Sequence, residues 1–565
     1  MVVQAFFGLL LFFAWPQEQA PNAAAVAEAP AARQKSLRIS GTVVDVSSGA
    51  PLARAQVTIS AQGVRDSAQS ELTDDTGNFV FENLAAGRYT LFARRKGYVQ
   101  QFYKAHEQFS TAIVVGPGLN TENLRFEMRP GASISGQVLD EMNEPVRNAQ
   151  VMLYQRGAAF GRRSYWQQNA VQTDDLGHYH FGHLAPGTYF VAVSAQPWYA
   201  QRVTHERVQQ VDSSGQRTIQ VTTGEPELDV VYPITFFSNA PDIASAAAFT
   251  LQAGSTEVAD FRLQPVRALH VTVRTASSAD SGAAASGDRQ EGENFWAQVM
   301  QPLAEGIQVG VPAMTQQIAP GVLEISGVPP GRFSMVLGSN KNGESRSRSQ
   351  NMQLTGDAEV TLSEASSSVT VSGVARLENG VALTPPPTLL FRSRASGEQF
   401  GMQADQNGEF GLKEQSLAAG TYDVVVQPPA VAVKSMTATG AKVSGRSMEI
   451  AGGQEVRLKI VLSEGTGQIT GFALKDGKPI DGVMIVLVPE VPEHNLVLFR
   501  RDQSDSDGSF VLPSVHPGKY TVVAMENGWE LDWFTPGVIQ KYLAGGEPVQ
   551  VTSNAKIEVK VKVQP

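Results

Sequence analysis

The feature that most constrains this chain is that it repeats itself about every hundred residues. Ile39-Ser40-Gly41-Thr42-Val43-Val44-Asp45, the run Pro51 to Ile59, Thr73-Asp74-Asp75-Thr76-Gly77-Asn78-Phe79 and Leu84-Ala85-Ala86-Gly87-Arg88-Tyr89 follow one another in a first copy. Ile134-Ser135-Gly136, Pro145 to Leu153, Thr173-Asp174-Asp175-Leu176-Gly177-His178-Tyr179 and Leu184-Ala185-Pro186-Gly187-Thr188-Tyr189 repeat the order. A fourth copy carries Val371-Ser372-Gly373, Asp405-Gln406-Asn407-Gly408 and Gly420-Thr421-Tyr422. The fifth carries Ile469-Thr470-Gly471, Asp505-Ser506-Asp507-Gly508 and Gly518-Lys519-Tyr520. Ile325-Ser326-Gly327 and Gly331-Arg332-Phe333 mark a degenerate third copy between them. A repeat of this length is one independently cored unit, and 565 residues exceed what a single core supports.

Each unit reads as β. Gln150-Val151-Met152-Leu153 and Tyr189-Phe190-Val191-Ala192-Val193 are short runs of β-branched and aromatic residues bounded by turn formers, too short for helices. Asp-x-x-Gly between two such runs is hairpin chemistry, since Asp bonds the amides that follow it and Gly accepts a positive φ. Gly-x-Tyr closing the unit resembles a tyrosine corner. The expected fold is all-β, about five tandem Greek-key β-sandwich modules in a beads-on-a-string array. Residues 1–32 are expected to form a signal peptide and spacer. The modules follow at 33–130, 131–265 (with an aromatic insertion), 266–365 (degenerate), 366–464 and 465–565.

Gly-x-Val-x-Asp, Pro-x-x-x-Ala-x-Val, Asp-x-x-Gly-x-Phe and Leu-x-x-Gly-x-Tyr, in that order, resemble the carboxypeptidase regulatory-like domain. The resemblance covers Leu37 to Ala93 and Ala132 to Val193 best, then Val369 to Val426 and Gly467 to Ala524. It implies a transthyretin-like seven-stranded sandwich in the carbohydrate-binding-like fold group, and tandem arrays of this kind resemble large secreted or envelope proteins of bacteria. These motifs are turns and core positions, so they specify fold rather than activity.

The apolar start from Val2 to Trp15 has the length of a signal-peptide core and is too short to span a bilayer. No Lys or Arg precedes it, and the best small-x-small cleavage site, Ala25-Val26-Ala27, lies downstream. No later segment has the length of a membrane span. The expected location is secreted, periplasmic or cell surface. The chain has no cysteine, so neither disulfides nor a lipidated cysteine can staple or anchor it. A formal charge of −10 without a basic cluster argues against nucleic acid.

No cofactor or metal site is expected. None of the eight histidines has Glu three residues on, as a zinc His-x-x-Glu pair requires, and no nucleophile elbow or phosphate loop is present. His178, His180 and His183 read as a solvent-facing hairpin. Asp502, Asp505 and Asp507 before Gly508 read as a plain turn, since the bidentate Glu of a calcium loop is missing. The chain is therefore expected not to be an enzyme. Its most suggestive feature is an aromatic segment after the Gly-x-Tyr strand, seen at Gly97 to Tyr103, Val231 to Phe237 and Gly528 to Phe534, with Trp198-Tyr199 added in the second unit. Tyr98, Tyr103, Trp198, Tyr199, Trp529 and Trp533 are the candidate ligand-binding residues, able to stack on sugars or anchor an envelope protein. In an extended strand Trp529 and Trp533 would share one face. The expected function is a non-catalytic binding or adhesive protein that takes polysaccharide or an envelope protein. The alternative is a structural spacer or envelope scaffold, in which these rings are core.

Overall fold

The computed structural model describes residues 37–565 apart from 160–161, 202–205, 212–216, 223–226, 276–292, 305–306, 320–321, 342–343, 363–368, 395–398, 412–416, 418, 452–454 and 534–536. The expected signal peptide and spacer lie outside the described residues. What is described is almost all strand, arranged as tandem sandwiches.

In the first unit the opening strand Leu37–Asp45 lies between Asn78–Leu84, antiparallel, and Leu124–Met128, parallel. The facing sheet centres on Gln56–Ala61 and Gly87–Arg94. Alternation sets the inner face: Phe79, Phe81 and Leu84 point inward from one strand while the residues between them are exposed. Opening strands Ala132–Leu139, Leu269–Thr275, Val371–Leu377 and Gly467–Lys475 repeat the plan, each with an antiparallel turn strand on one side and a parallel closing strand on the other. The third copy therefore keeps the topology although its turn motif has degenerated. Each sandwich encloses its own cluster, for example Ile39, Val57, Leu91 and Phe126 in the first and Ile469, Leu487, Phe510 and Val522 in the fifth.

The motif residues are the parts that make this plan possible. A Cβ added to Gly41, Gly136, Gly373 or Gly471 would stand 2.1–2.2 Å from a carbonyl oxygen of the closing strand. Only hydrogen fits there, so this glycine lets the parallel strand dock. In the Asp-x-x-Gly turn, Gly77, Gly177, Gly408 and Gly508 have φ between 74° and 79°. Asp74 Oδ1 accepts the amides of Thr76 and Asn78 at 2.9 and 2.8 Å, and Asp174 and Asp405 repeat the arrangement. The tyrosine corner is present as well. Tyr89, Tyr189 and Tyr520 donate to the carbonyls of Ala85, Ala185 and His516 at 3.0, 2.9 and 2.7 Å, and the third unit has buried Phe333 instead.

The array is not an open string. The second and third units share a cluster in which Ile234 and Phe236 meet Leu303. The fourth and fifth meet where the Arg446 amide donates to the His494 carbonyl. The first unit then packs against the fifth across about four hundred residues of sequence, with the Ser506 amide donating to the Ala112 carbonyl at 2.9 Å. The unit contacts thus run third, second, first, fifth, fourth.

Gly136→Ala is expected to cost roughly 1–3 kcal/mol of second-unit stability, because the methyl overpacks against backbone. Tyr189→Phe, which removes one hydrogen bond and keeps the ring, should cost about 1 kcal/mol. Chemical denaturation checks both, and an unchanged stability of Gly136→Ala would contradict the assignment of the glycine to strand docking.

Candidate functional site

The aromatic segments do different work from a sugar-binding row, and the reason is local geometry. Gly528–Glu530 is a 3-10 turn rather than a strand, so Trp529 and Trp533 do not share a face and the extended-strand expectation is corrected. Trp533 is 3% exposed, packed on Phe499 at a centroid distance of 5.8 Å. Trp529 is half-buried: its Nε1 donates to the Gly482 carbonyl at 3.1 Å and its ring stacks on His106 of the first unit, 5.0 Å away and within 6° of parallel. Tyr103 is also core, 5% exposed against Phe126. Burial pushes its phenol up to about 12. Neither Tyr103 nor Trp533 presents a ring to solvent, so both leave the set of candidate binding residues. Tyr98 is half-buried, its hydroxyl donating to Asp45 at 2.9 Å beside the first-to-second-unit boundary at Pro130.

The stretch after the first aromatic segment, Lys104 to Ala112, meets the fifth unit in a clasp. Arg501 lies between the Phe109 ring at 5.0 Å and the Trp533 ring at 4.9 Å, and pairs with Glu107 at 2.8 Å. Gln503, 1% exposed, donates to the Lys104 carbonyl and the Thr111 hydroxyl at 2.7 and 2.8 Å, while its Oε1 faces His106 Nδ1 at 3.0 Å. Asp505 is the turn aspartate of the fifth unit, yet its carboxylate leaves its own turn. Oδ1 accepts the Ala112 amide at 2.9 Å, and Oδ2 pairs with Arg88 at 3.0 Å. Asp507 takes over the local duty by accepting the Ser509 amide. Asp502 accepts the Val511 amide. The three aspartates are thereby engaged by amides, and among the described residues no group of three or more His, Cys, Asp or Glu is arranged to hold a metal ion. His178, His180 and His183 lie exposed on the strand His178–Leu184.

The second unit holds the exposed part of the set. Trp198 is 82% exposed and sits edge-on to Tyr199 at 5.7 Å. Tyr199 and Tyr232 both donate to the Glu141 carboxylate, the latter at 2.7 Å. Burial alone would raise Glu141, but these two hydroxyls hold it below its ordinary value. Sequence reasoning missed the clasp partners His106, Phe109, Glu107, Arg501 and Gln503, because nothing local marks a contact across about four hundred residues.

The architecture defines a tandem all-β sandwich protein. The family model for the carboxypeptidase regulatory-like domain matches residues 38–129 and 133–264, so the first two units are tandem carboxypeptidase regulatory-like domains. No curated protein matches. Among solved structures the chain is similar to the Bacillus anthracis TIE protein, at 12% identity and a TM-score of 0.16 over 76% of this chain and 75% of that one. It is also similar to a streptococcal ancillary pilin, at 11% identity and a TM-score of 0.18 over 53% of this chain and 100% of that one. The minor pilin GBS52 of Streptococcus agalactiae gives 11% identity and 0.19 over 40% and 96%.

Two buried groups make the clasp sensitive to pH, with opposite signs. Burial raises the Asp505 carboxyl to about 7 against the pull of Arg88 and of the Ala112 amide, so closure binds its proton and weakens as pH rises through that value. Burial lowers His106 from 6.5, so the open form protonates first and closure weakens as pH falls below about 6.5. Because about 7 lies above 6.5, the Asp505 effect is the larger across the shared range, so closure is expected to weaken with rising pH up to about 7 and to level off above it, and Asp505→Asn should leave only the His106 effect. Hydrogen exchange at the Val114 amide, which donates to Ser506 Oγ at 2.8 Å, reports it. Closure that strengthens from about pH 6.5 to about 8 would contradict the assignment.

Proposed function

We propose that this chain is an exported, non-catalytic scaffold of the cell envelope or surface, whose closed array of sandwiches holds one aromatic contact, Trp198, toward a polysaccharide or envelope-protein partner. The observation that carries the scaffold reading is where the aromatic segments are spent. Trp529 stacks on His106 of the first unit, Trp533 backs the Arg501 that lies over Phe109 of the first, and Ile234 and Phe236 join the second unit to the third. Rings used this way fix the relative placement of modules. The apolar run Val2 to Trp15 supports export, and among the described residues no helix is long and apolar enough to cross a membrane.

The binding reading rests on a separate observation. A tryptophan ring 82% exposed is a costly surface residue, and here it stands edge-on to a tyrosine fixed by a part-buried hydrogen bond to a carboxylate. An exposed ring held by a rigid neighbour suits stacking on the apolar face of a sugar ring.

Trp198→Ala should leave the melting temperature unchanged and reduce retention on immobilised envelope polysaccharide about tenfold, the loss of one stacking contact. Affinity chromatography with wild type and variant tests this. Equal retention of the two would remove Trp198 as the contact, while absence of wild-type binding to glycan and envelope protein alike would leave the scaffold reading alone.

A further inference from the structure

The junction between the fourth and fifth units contains cations without counter-charges. Arg446 ends the hairpin tip of the fourth unit just before the strand Ser447–Ile450. Arg500 opens the strand Arg500–Gln503 of the fifth, and His516 precedes its Gly518–Met525 strand. Three arginines at the unit junctions have carboxylate partners: Arg394 holds Asp423, Arg88 holds Asp505 and Arg501 holds Glu107. Among the described residues Arg446 and Arg500 have none within ion-pair distance. Arg500 donates to the carbonyls of Val497, Phe499 and Ser514. Among the described residues the Arg446 guanidinium reaches the Asn495 side-chain oxygen alone, at 3.4 Å. Its Nε is buried without a hydrogen-bond partner, and so is Nδ1 of His516, whose Nε2 faces the Pro429 carbonyl at 3.4 Å.

Withdrawn cations repel one another unless something neutralises them. The Asp423 carboxylate, on the strand Gly420–Gln427 opposite Ser447, is already taken by Arg394 and by the Ser447 hydroxyl. The Tyr520 phenol, whose hydroxyl donates to the His516 carbonyl, also faces the cluster, and His494 borders it through the Arg446 amide. Burial first, and then the two guanidiniums, push His516 down to about 4. Burial likewise lowers Arg446 and Arg500.

We propose that this junction is a binding site for an oxyanion of the sulfate or phosphate type, received by Arg446 Nε, the field of Arg500 and, once protonated, His516 Nδ1. A neutral His516 that donates from Nε2 to Pro429 carries a lone pair at Nδ1, which repels an anion. Binding therefore draws one proton onto that nitrogen: no bond is made or broken beyond the N–H, and the proton comes from buffer. The bound anion would cancel the repulsion across the junction and stabilise the fourth unit against the fifth. The oxyanion can be a free ion or an ester on an acidic polysaccharide, and the two are told apart by experiment.

The test uses the full chain, titrated calorimetrically with sodium sulfate, which keeps its charge across the pH range. Runs at constant ionic strength, about pH 6, in two buffers of different ionisation heat reveal proton uptake. Saturable binding with about one proton taken up is expected, about tenfold weaker at about pH 8. Arg446→Gln should weaken sulfate about tenfold, the loss of one charge-assisted bond, without lowering the melting temperature in sodium chloride. His516→Asn should abolish the proton uptake. Dextran sulfate against plain dextran separates the sources: binding far tighter than inorganic sulfate assigns the site to an esterified polysaccharide, and equal affinity per sulfate assigns it to the free ion. Sulfate stabilises proteins generally by exclusion, so only a saturable effect absent from Arg446→Gln supports the site. No saturable binding up to about 20 mM, or an Arg446→Gln chain that unfolds or binds as wild type does, overturns the proposal.

Discussion

Each unit is closed by the parallel pairing of its first strand with its last, and in the first, second, fourth and fifth that pairing depends on an absent side chain. The opening glycines 41, 136, 373 and 471 leave no more than hydrogen's width to the closing strand's carbonyl. A strand and its parallel partner need a long connection between them, and here the whole sandwich is that connection. Once the two ends of a unit are joined, its intervening strands must fold into the facing sheet, and their alternating apolar residues meet in one core. The turn aspartates and tyrosine corners then satisfy backbone groups that the closure would otherwise strand.

The joints between units reuse repeat residues rather than add new ones. Asp505 holds the position that in Asp74, Asp174 and Asp405 caps the local turn, but its carboxylate reaches Arg88 and the Ala112 amide instead. Asp507, two residues on, covers the local amide. The same substitution of roles applies to the aromatic segments: Tyr103 and Trp533 stay in the cores of their own units, whereas Trp529 carries the fifth unit onto the first. A change of a few side chains thus turns a generic sandwich edge into a specific joint.

What the sequence made legible was whatever is local. Repeat length, strand alternation, the Asp-x-x-Gly turn and the Tyr corner follow from spacing, and the all-β tandem architecture follows from them. The third unit was hardest to read because its defining contact, the parallel pairing of Leu269–Thr275 with Ala358–Leu362, needs no turn motif. The clasp was illegible for another reason. Trp529 and Trp533 alternate with acids as a strand face would, but Gly528 starts a 3-10 turn that tertiary packing against Met484 and Met525 imposes. Charge neutralisation between distant segments, as with Arg88 and Asp505, leaves no periodic trace.

The central claim is that the first and fifth units meet. Because the chain has no cysteine of its own, Lys104→Cys with Asp481→Cys places its only two thiols on either side of the clasp, at a surface ion pair of 2.6 Å whose loss costs little. A short bis-maleimide should then link the two within a single chain at high dilution, and adding Arg501→Ala should suppress the link. Absence of the intramolecular product in the otherwise folded double variant would contradict the closed array.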